Sequence, residues 1–302
     1  MKLSEICTKY CLAHELSADY EYQLEYAVRR FELHLGRPAV AGDLTPDAVN
    51  AWLRHERQSG QIADRSRRNV RQSILTLWKW HDPTAPTSAV RLVRVAKRPP
   101  EAWDFEEMQA VAEAAGRLHG HLKNGVRRAL YFSTVLWFTF ETGLRRTDVW
   151  RFDVTRLDDQ RRASMTQNKS GQVHVIEVTP ETHAGLMALH RHLSAIGARH
   201  ARTPLHWPFN ESAFYYWIRR ARALAGIDAT IGNRAMQHIR RTGATAVECA
   251  EPDGATKYLG HRSGPTLAWA SYIDPRKATR SIMPPTTRHH HGQRTSRIGG
   301  TE

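Results

Sequence analysis

The sequence predicts a mainly α-helical protein of two domains, with one small antiparallel β-hairpin in the second. Three observations lead there. Apolar residues recur at helical spacing from about residue 18 to 82, and again from 104 onward. One stretch, 161–178, switches to the alternation of paired strands. Between the helical runs, Pro83, Pro86, Pro99 and Pro100 punctuate a basic segment with little material for a core, which is where domains separate. The expected layout is a helical N-terminal domain (1–82), a linker (83–100), a second domain (101–275) and a disordered basic tail (276–302).

In the first domain, Tyr20, Leu24, Val28, Phe31 and Leu35 form one apolar stripe, stopped by Gly36 and Pro38. Thr45-Pro46 is an N-cap followed by proline at the first helical position. The helix it opens carries Val49, Trp52 and Leu53 and closes at Gly60. A third helix, from about Ser66 to Trp80, turns Val70, Ile74, Leu77 and Trp78 inward and Arg68, Gln72 and Lys79 outward.

In the second domain, Asp104 and Glu107 make a capping box ahead of Met108, Val111, Ala115 and Leu118. Residues 126–142 are apolar almost all round, the mark of a helix buried at a domain centre, and Gly143 ends it. Two strands, Arg161–Met165 and Gln172–Val178, flank a turn that carries Lys169. Thr179-Pro180 starts another helix with Leu186, Leu189 and Leu193, and Phe214, Trp217, Ile218 and Ala221 repeat the pattern.

Composition narrows the function classes. The 302 residues are 41% hydrophobic with nine Trp, enough for real cores. Lys and Arg outnumber Asp and Glu by 44 to 30, a formal charge of +14 that favours a polyanionic partner, nucleic acid first. No apolar run approaches the ~20 residues of a membrane span. The N-terminus lacks an export signal, and three cysteines (Cys7, Cys11, Cys249) fit a reducing compartment, so a cytoplasmic, nucleoid-associated protein is expected. Cys7 and Cys11 share a helix face as packing residues, with no second ligand pair for zinc. Between Ser59 and Pro100, nine Lys or Arg face two acids. Arg65, Arg67, Arg68, Arg71 and Lys79 are therefore the candidate DNA-contacting residues.

The stretch 237–275 draws the chemistry together, with Arg240, then Gly260-His261, then Tyr272. Cations that grip phosphate, followed by a phenol, suggest covalent chemistry on a phosphodiester. Thr142-Gly143-Leu144-Arg145-Arg146-Thr147-Asp148-Val149 resembles the first conserved box of the tyrosine recombinase (phage integrase) family. Ile239-Arg240-Arg241-Thr242-Gly243-Ala244-Thr245 resembles the second. Leu259-Gly260-His261 resembles its Leu-Gly-His element, Tyr272 its nucleophile, and Lys169 lies on the hairpin where the family keeps a catalytic lysine. Order and rough spacing agree over about 104–275, and 18–82 resembles the core-binding domain more weakly.

That resemblance implies a two-domain, C-shaped clamp on double-stranded DNA, working as a homotetramer on two duplexes, with accessory directionality proteins as further candidate partners. It implies that Arg145 and Arg240 bind the scissile phosphate, Lys169 protonates the leaving group, His261 stabilises the transition state, Tyr272 attacks and Asp148 supports Arg145. The chain begins almost directly at the core-binding domain, so no separate arm-binding domain is expected.

The chemistry is coherent on its own terms. A phosphodiester repels nucleophiles until its non-bridging oxygens are neutralised, and planar guanidinium groups do this bidentately. Nearby cations favour a phenoxide over a phenol. Attack yields a phosphotyrosyl ester that conserves the bond, the departing 5′-oxygen takes a proton from a positioned lysine, and a histidine donor serves the pentacoordinate state. No metal or cofactor is required. Two departures from the family pattern stand out. Gln237 occupies the position, three before Arg240, where the family has His; it can donate a hydrogen bond but cannot titrate, and His238 lies ~100° round the helix. The step from His261 to Tyr272 is long, which leaves a mobile loop or a neighbouring subunit as ways of placing Tyr272. A DNA-binding relative with weakened catalysis, and a type IB topoisomerase-like enzyme, are the alternatives.

Overall fold

The computed structural model describes residues 1–96, 99–227, 235–260, 268 and 270–274. The chain divides into two compact units, Met1–Arg98 and Pro99–Glu302.

The first unit contains α1 (Leu3–His14), α2 (Ala18–Leu35), α3 (Pro46–Ser59) and α4 (Asp64–His81). Thr45 caps α3 as expected, its hydroxyl accepting from the Ala48 amide at 3.2 Å, and Gly60 ends it in the left-handed region. α2 and α4 pack on one another, and Leu24, Phe31, Trp52, Ile74 and Leu77 are fully buried between the helices. Cys7 and Cys11 are packing residues of α1, both in this core. Buried Glu56 is held by the Arg30 guanidinium and by Trp52 Nε1 at 3.0 Å, so its charge is paired rather than stranded. The basic segment after α4 is built into this unit. Val90 is buried in its core, and Asn50 receives the Arg91 amide at 2.8 Å.

The second unit contains α5 (Phe105–Ala115), α6 (Arg128–Thr142), α7 (Arg146–Arg151), β1 (Arg162–Thr166), β2 (Val173–Glu177), α8 (Pro180–Ala195), α9 (Glu211–Leu224), α10 (Ala235–Ala250) and α11 (Gly254–Tyr258). The apolar α6 is central, packed by α5, α8 and α10. Its Phe132, Val135, Leu136 and Phe138 are fully buried. β1 and β2 pair antiparallel, Arg162 opposite Glu177 and Thr166 opposite Val173, and alternate buried and exposed residues. Gly143 caps α6 at φ +59°, turning the chain into α7 and presenting Arg145. Among the described residues the fold is thus mainly helical with one two-stranded sheet, as the periodicities predict.

Candidate functional site

A cleft of about 360 Å³ in the second unit is lined by Arg145, Lys169, Gln237, Arg240, Tyr272 and Tyr215, among others. Five of the six residues proposed from the sequence therefore meet in one place, delivered by the α6–α7 junction, the β1–β2 turn, α10 and the segment after α11. His261 lies outside the described residues.

Arg240 is the deepest member, 2% exposed. Its Nη1 donates to the Gly143 carbonyl and its Nη2 to the Leu259 carbonyl at 3.3 Å. Burial pushes its pKa down to about 10, Arg145 adding to the shift and Tyr272 opposing it, so it stays charged at neutral pH. The Arg240 Cζ stands 4.7 Å from the centre of the Tyr272 ring.

Tyr272 enters the cleft of its own chain. The residues after it are anchored: Ile273 is fully buried against Ala244, Ala255 and Leu259, the Asp274 amide donates to Thr245 Oγ1 at 2.9 Å, and Asp274 Oδ2 accepts from the Ala102 amide at 3.3 Å.

Arg145, half-buried, donates through Nη1 to Gln167 Oε1. Asp148 is buried, and its carboxylate does not meet the Arg145 guanidinium; its Oδ1 accepts from the Asn168 amide at 2.9 Å, while Arg151 donates to the Asn168 side chain at 2.9 Å. These two bonds hold the turn that carries exposed Lys169, so the support given by Asp148 goes to the lysine hairpin. Gln237 is exposed on the cleft side of α10, whereas His238 is buried with its ring 4.9 Å from that of Trp103. The histidine next to Gln237 thus cannot stand in for it.

Three further residues shape the cleft and carry no signal in the sequence. Gln167 is fully buried behind Arg145. His174 on β2 is buried, bonded through Nε2 to the Thr142 carbonyl at 3.2 Å, and its pKa is lowered, first by burial and also by Arg240 and Arg145. Tyr258 wedges between the motif glycines. A Cβ on Gly243 would lie 1.9 Å from its hydroxyl, and one on Gly143 would lie 2.6 Å from its ring. Its hydroxyl donates to the Phe140 carbonyl, and burial raises its pKa. Only side chains brought together from distant parts of the chain define these roles.

The five candidate DNA-contacting cations behave differently from one another. Arg65, Arg68 and Lys79 are exposed. Arg71 is buried, donating to the carbonyls of Arg91 at 2.7 Å and Val90 at 2.8 Å, and Arg67 is buried with an ion pair to Asp64 at 3.0 Å. Arg71 is thereby committed to internal structure, because a buried guanidinium must satisfy its donors locally. A groove of about 360 Å³ instead gathers Arg54, Arg57, Arg67, Arg91 and Arg94 around the single acid Asp64. Arg54 and Arg57, three apart on α3, are its arginines outside the basic run.

Among the described residues no cluster of His, Cys, Asp or Glu could hold a metal ion, and no helix is long and apolar enough to cross a membrane.

No protein-family model and no curated protein matches the chain. Solved structures do. A lambda integrase dimer bound to a COC′ core site is 16% identical, with a TM-score of 0.67 over 95% of this chain and 100% of that one. XerH site-specific recombinase bound to difH substrate in a pre-cleavage complex is 13% identical, with a TM-score of 0.65 over 89% of this chain and 81% of that one. The Tn1549 transposon integrase in complex with circular intermediate DNA is 12% identical, with a TM-score of 0.60 over 93% and 96%. Across nearly its whole length, the chain has the fold of the tyrosine recombinases.

Proposed function

We propose that this protein is a site-specific DNA recombinase that cuts and rejoins strands through a 3′-phosphotyrosyl intermediate. The observation that carries the reading is the single cleft where Arg145, Lys169, Gln237, Arg240 and Tyr272 converge, on a fold whose solved relatives include recombinases bound to DNA.

Arg145 and Arg240 neutralise the non-bridging oxygens of the scissile phosphate. The Tyr272 hydroxyl attacks phosphorus, forming the phosphotyrosyl bond as the bond from phosphorus to the 5′-oxygen breaks. Lys169 gives a proton to that oxygen. Gln237 donates a neutral hydrogen bond to the phosphate, and His261 supplies a second donor to the transition state. Attack by the 5′-hydroxyl of another strand reverses the chemistry on a new partner, with no external energy source. Asp148 keeps the Lys169 hairpin in register.

The partner is double-stranded DNA, and the working assembly is a homotetramer. Lambda integrase has been solved as a tetramer bound to a Holliday junction, with a TM-score of 0.66 and 15% identity over 94% of this chain and 80% of that one. Accessory directionality proteins, a cytoplasmic, nucleoid-associated location and a place on a mobile element complete the proposal. Gln237 favours one second reading, a relative that binds DNA with little catalysis.

The experiment uses the full chain and nicked duplexes tiled across the DNA that flanks its gene. A covalent protein–DNA adduct is expected from the native sequence and none from Tyr272→Phe. An adduct that persists in Tyr272→Phe would sink the assignment. Saturated binding without any adduct would favour the binding-only reading, and plasmid relaxation without two-site recombination would favour a topoisomerase.

A further inference from the structure

We infer that Gln167 is a positioning residue for the phosphoryl transfer proposed above, a reading on which this inference rests. Its amide ties the Arg145 guanidinium to the carbonyl of Leu259, the same carbonyl that Arg240 holds.

The bridge is continuous. Gln167 Oε1 accepts from Arg145 Nη1 and from Ser170 Oγ at 3.1 Å. Its Nε2 donates to the Leu259 carbonyl at 3.0 Å, and Arg240 Nη2 donates to that oxygen at 3.3 Å. Both guanidinium groups therefore take their bearings from one peptide, immediately before Gly260-His261.

The chemistry requires glutamine. One end of the side chain must accept from a guanidinium and the other must donate to a carbonyl. Glutamate can only accept, asparagine is one methylene shorter, and leucine does neither. Gly260 meets the same constraint from the other side. Its φ is +61°, and a Cβ there would sit 2.6 Å from Gln167 Nε2. The amide fills the space a side chain would need.

The role is positioning because Gln167 is fully buried and does not line the cleft. Arg145 is half-buried, and a long side chain left unanchored spreads over several rotamers. Two guanidinium groups that share one phosphate need their geometry held to about 0.5 Å.

The test is a double-mutant cycle on the full chain, scored by single-turnover adduct formation, DNA affinity and thermal melting. Gln167→Leu should bind DNA within about twofold of the native protein yet form adduct about tenfold more slowly. In an Arg145→Ala background the same substitution should cost nothing further, because its effect travels through Arg145. Gln167→Glu keeps the acceptor for Arg145, loses the bond to Leu259 and should fall between the two; if Gln167→Leu does not fold, Gln167→Glu carries the cycle. Native rates in a folded variant, or losses that multiply in the double variant, would overturn the inference. If the native chain forms no adduct, the recombinase reading fails and ¹⁵N spectra of the Arg145 guanidinium decide the positioning role. Slowed rotation that is released by the Gln167 variants supports it; identical signals overturn it.

Discussion

The Arg240 guanidinium lies over the Tyr272 ring, 4.7 Å from its centre, while its Nη1 and Nη2 donate to the carbonyls of Gly143 and Leu259. One buried cation thus joins the end of α6, the turn before His261 and the proposed nucleophile. Arg240→Ala would strand the Gly143 carbonyl, at about 1–3 kcal/mol, leave the Leu259 carbonyl to Gln167 alone, and remove a proposed phosphate ligand. The expected outcome is a lower urea midpoint together with loss of adduct. Arg240→Lys should recover part of the stability but little of the adduct, because one ammonium cannot span two divergent carbonyls and a phosphate. A lysine variant with native single-turnover rates would refute the bidentate role.

Gly260 offers a sharper geometric test. Alanine there would be strained by φ +61° and would bring a Cβ to 2.6 Å from both Gln167 Nε2 and His174 Nδ1. We expect Gly260→Ala to cost on the order of 2 kcal/mol or more in thermal or urea unfolding and to slow adduct formation in step. A variant that unfolds at the native midpoint would mean that the turn relaxes without cost.

Much of this was legible from the chain because local rules agree with the global fold. Thr45-Pro46, the Asp104/Glu107 box and Gly143 each mark a helix end by backbone chemistry alone, and all three stand where expected. Arg145, Lys169, Arg240 and Tyr272 were legible as motif members in order, and Gln237 as a departure from the motif. Gln167, His174 and Tyr258 were not, because their roles come from partners far away in sequence; Gln167 and Leu259 lie 92 positions apart. Burial of Arg67 and Arg71 was hidden for a similar reason. Charged side chains on a helix are read as solvated, and nothing local announces that the Val90 and Arg91 carbonyls will need a donor.

The arginine groove on the first unit predicts where the phosphate backbone is gripped. Asn50 and Arg71 pin the segment that carries Arg91 and Arg94, so the charges of Arg91 and Arg94 line the same groove as Arg54 and Arg57. Replacing Arg54 and Arg91 together with Ala should weaken DNA binding across all sequences. It should also make the plot of log affinity against log salt shallower by about one per lost contact. Arg71→Ala should instead lower the unfolding midpoint, since its nitrogens serve two interior carbonyls. A salt slope unchanged in the double variant would place the phosphate track elsewhere.

His174 links the cleft to pH. It is buried and bonded to the Thr142 carbonyl, and its pKa lies below the ordinary 6.5, lowered first by burial and also by the charges of Arg240 and Arg145, with the Thr142 bond and Asp148 opposing. The folded protein therefore resists taking up a proton that the unfolded chain accepts. Stability from this group is complete above about pH 6.5, falls as the unfolded chain protonates, and levels off only below the lowered folded value. His34 and His206 are shifted in the same direction, so the native profile alone does not isolate the effect. His174→Gln keeps a donor for the Thr142 carbonyl but cannot titrate. Between about pH 7.5 and 5.5 the native unfolding midpoint should fall more steeply than that of the variant. Parallel profiles would show that His174 is not held neutral beside the two arginines.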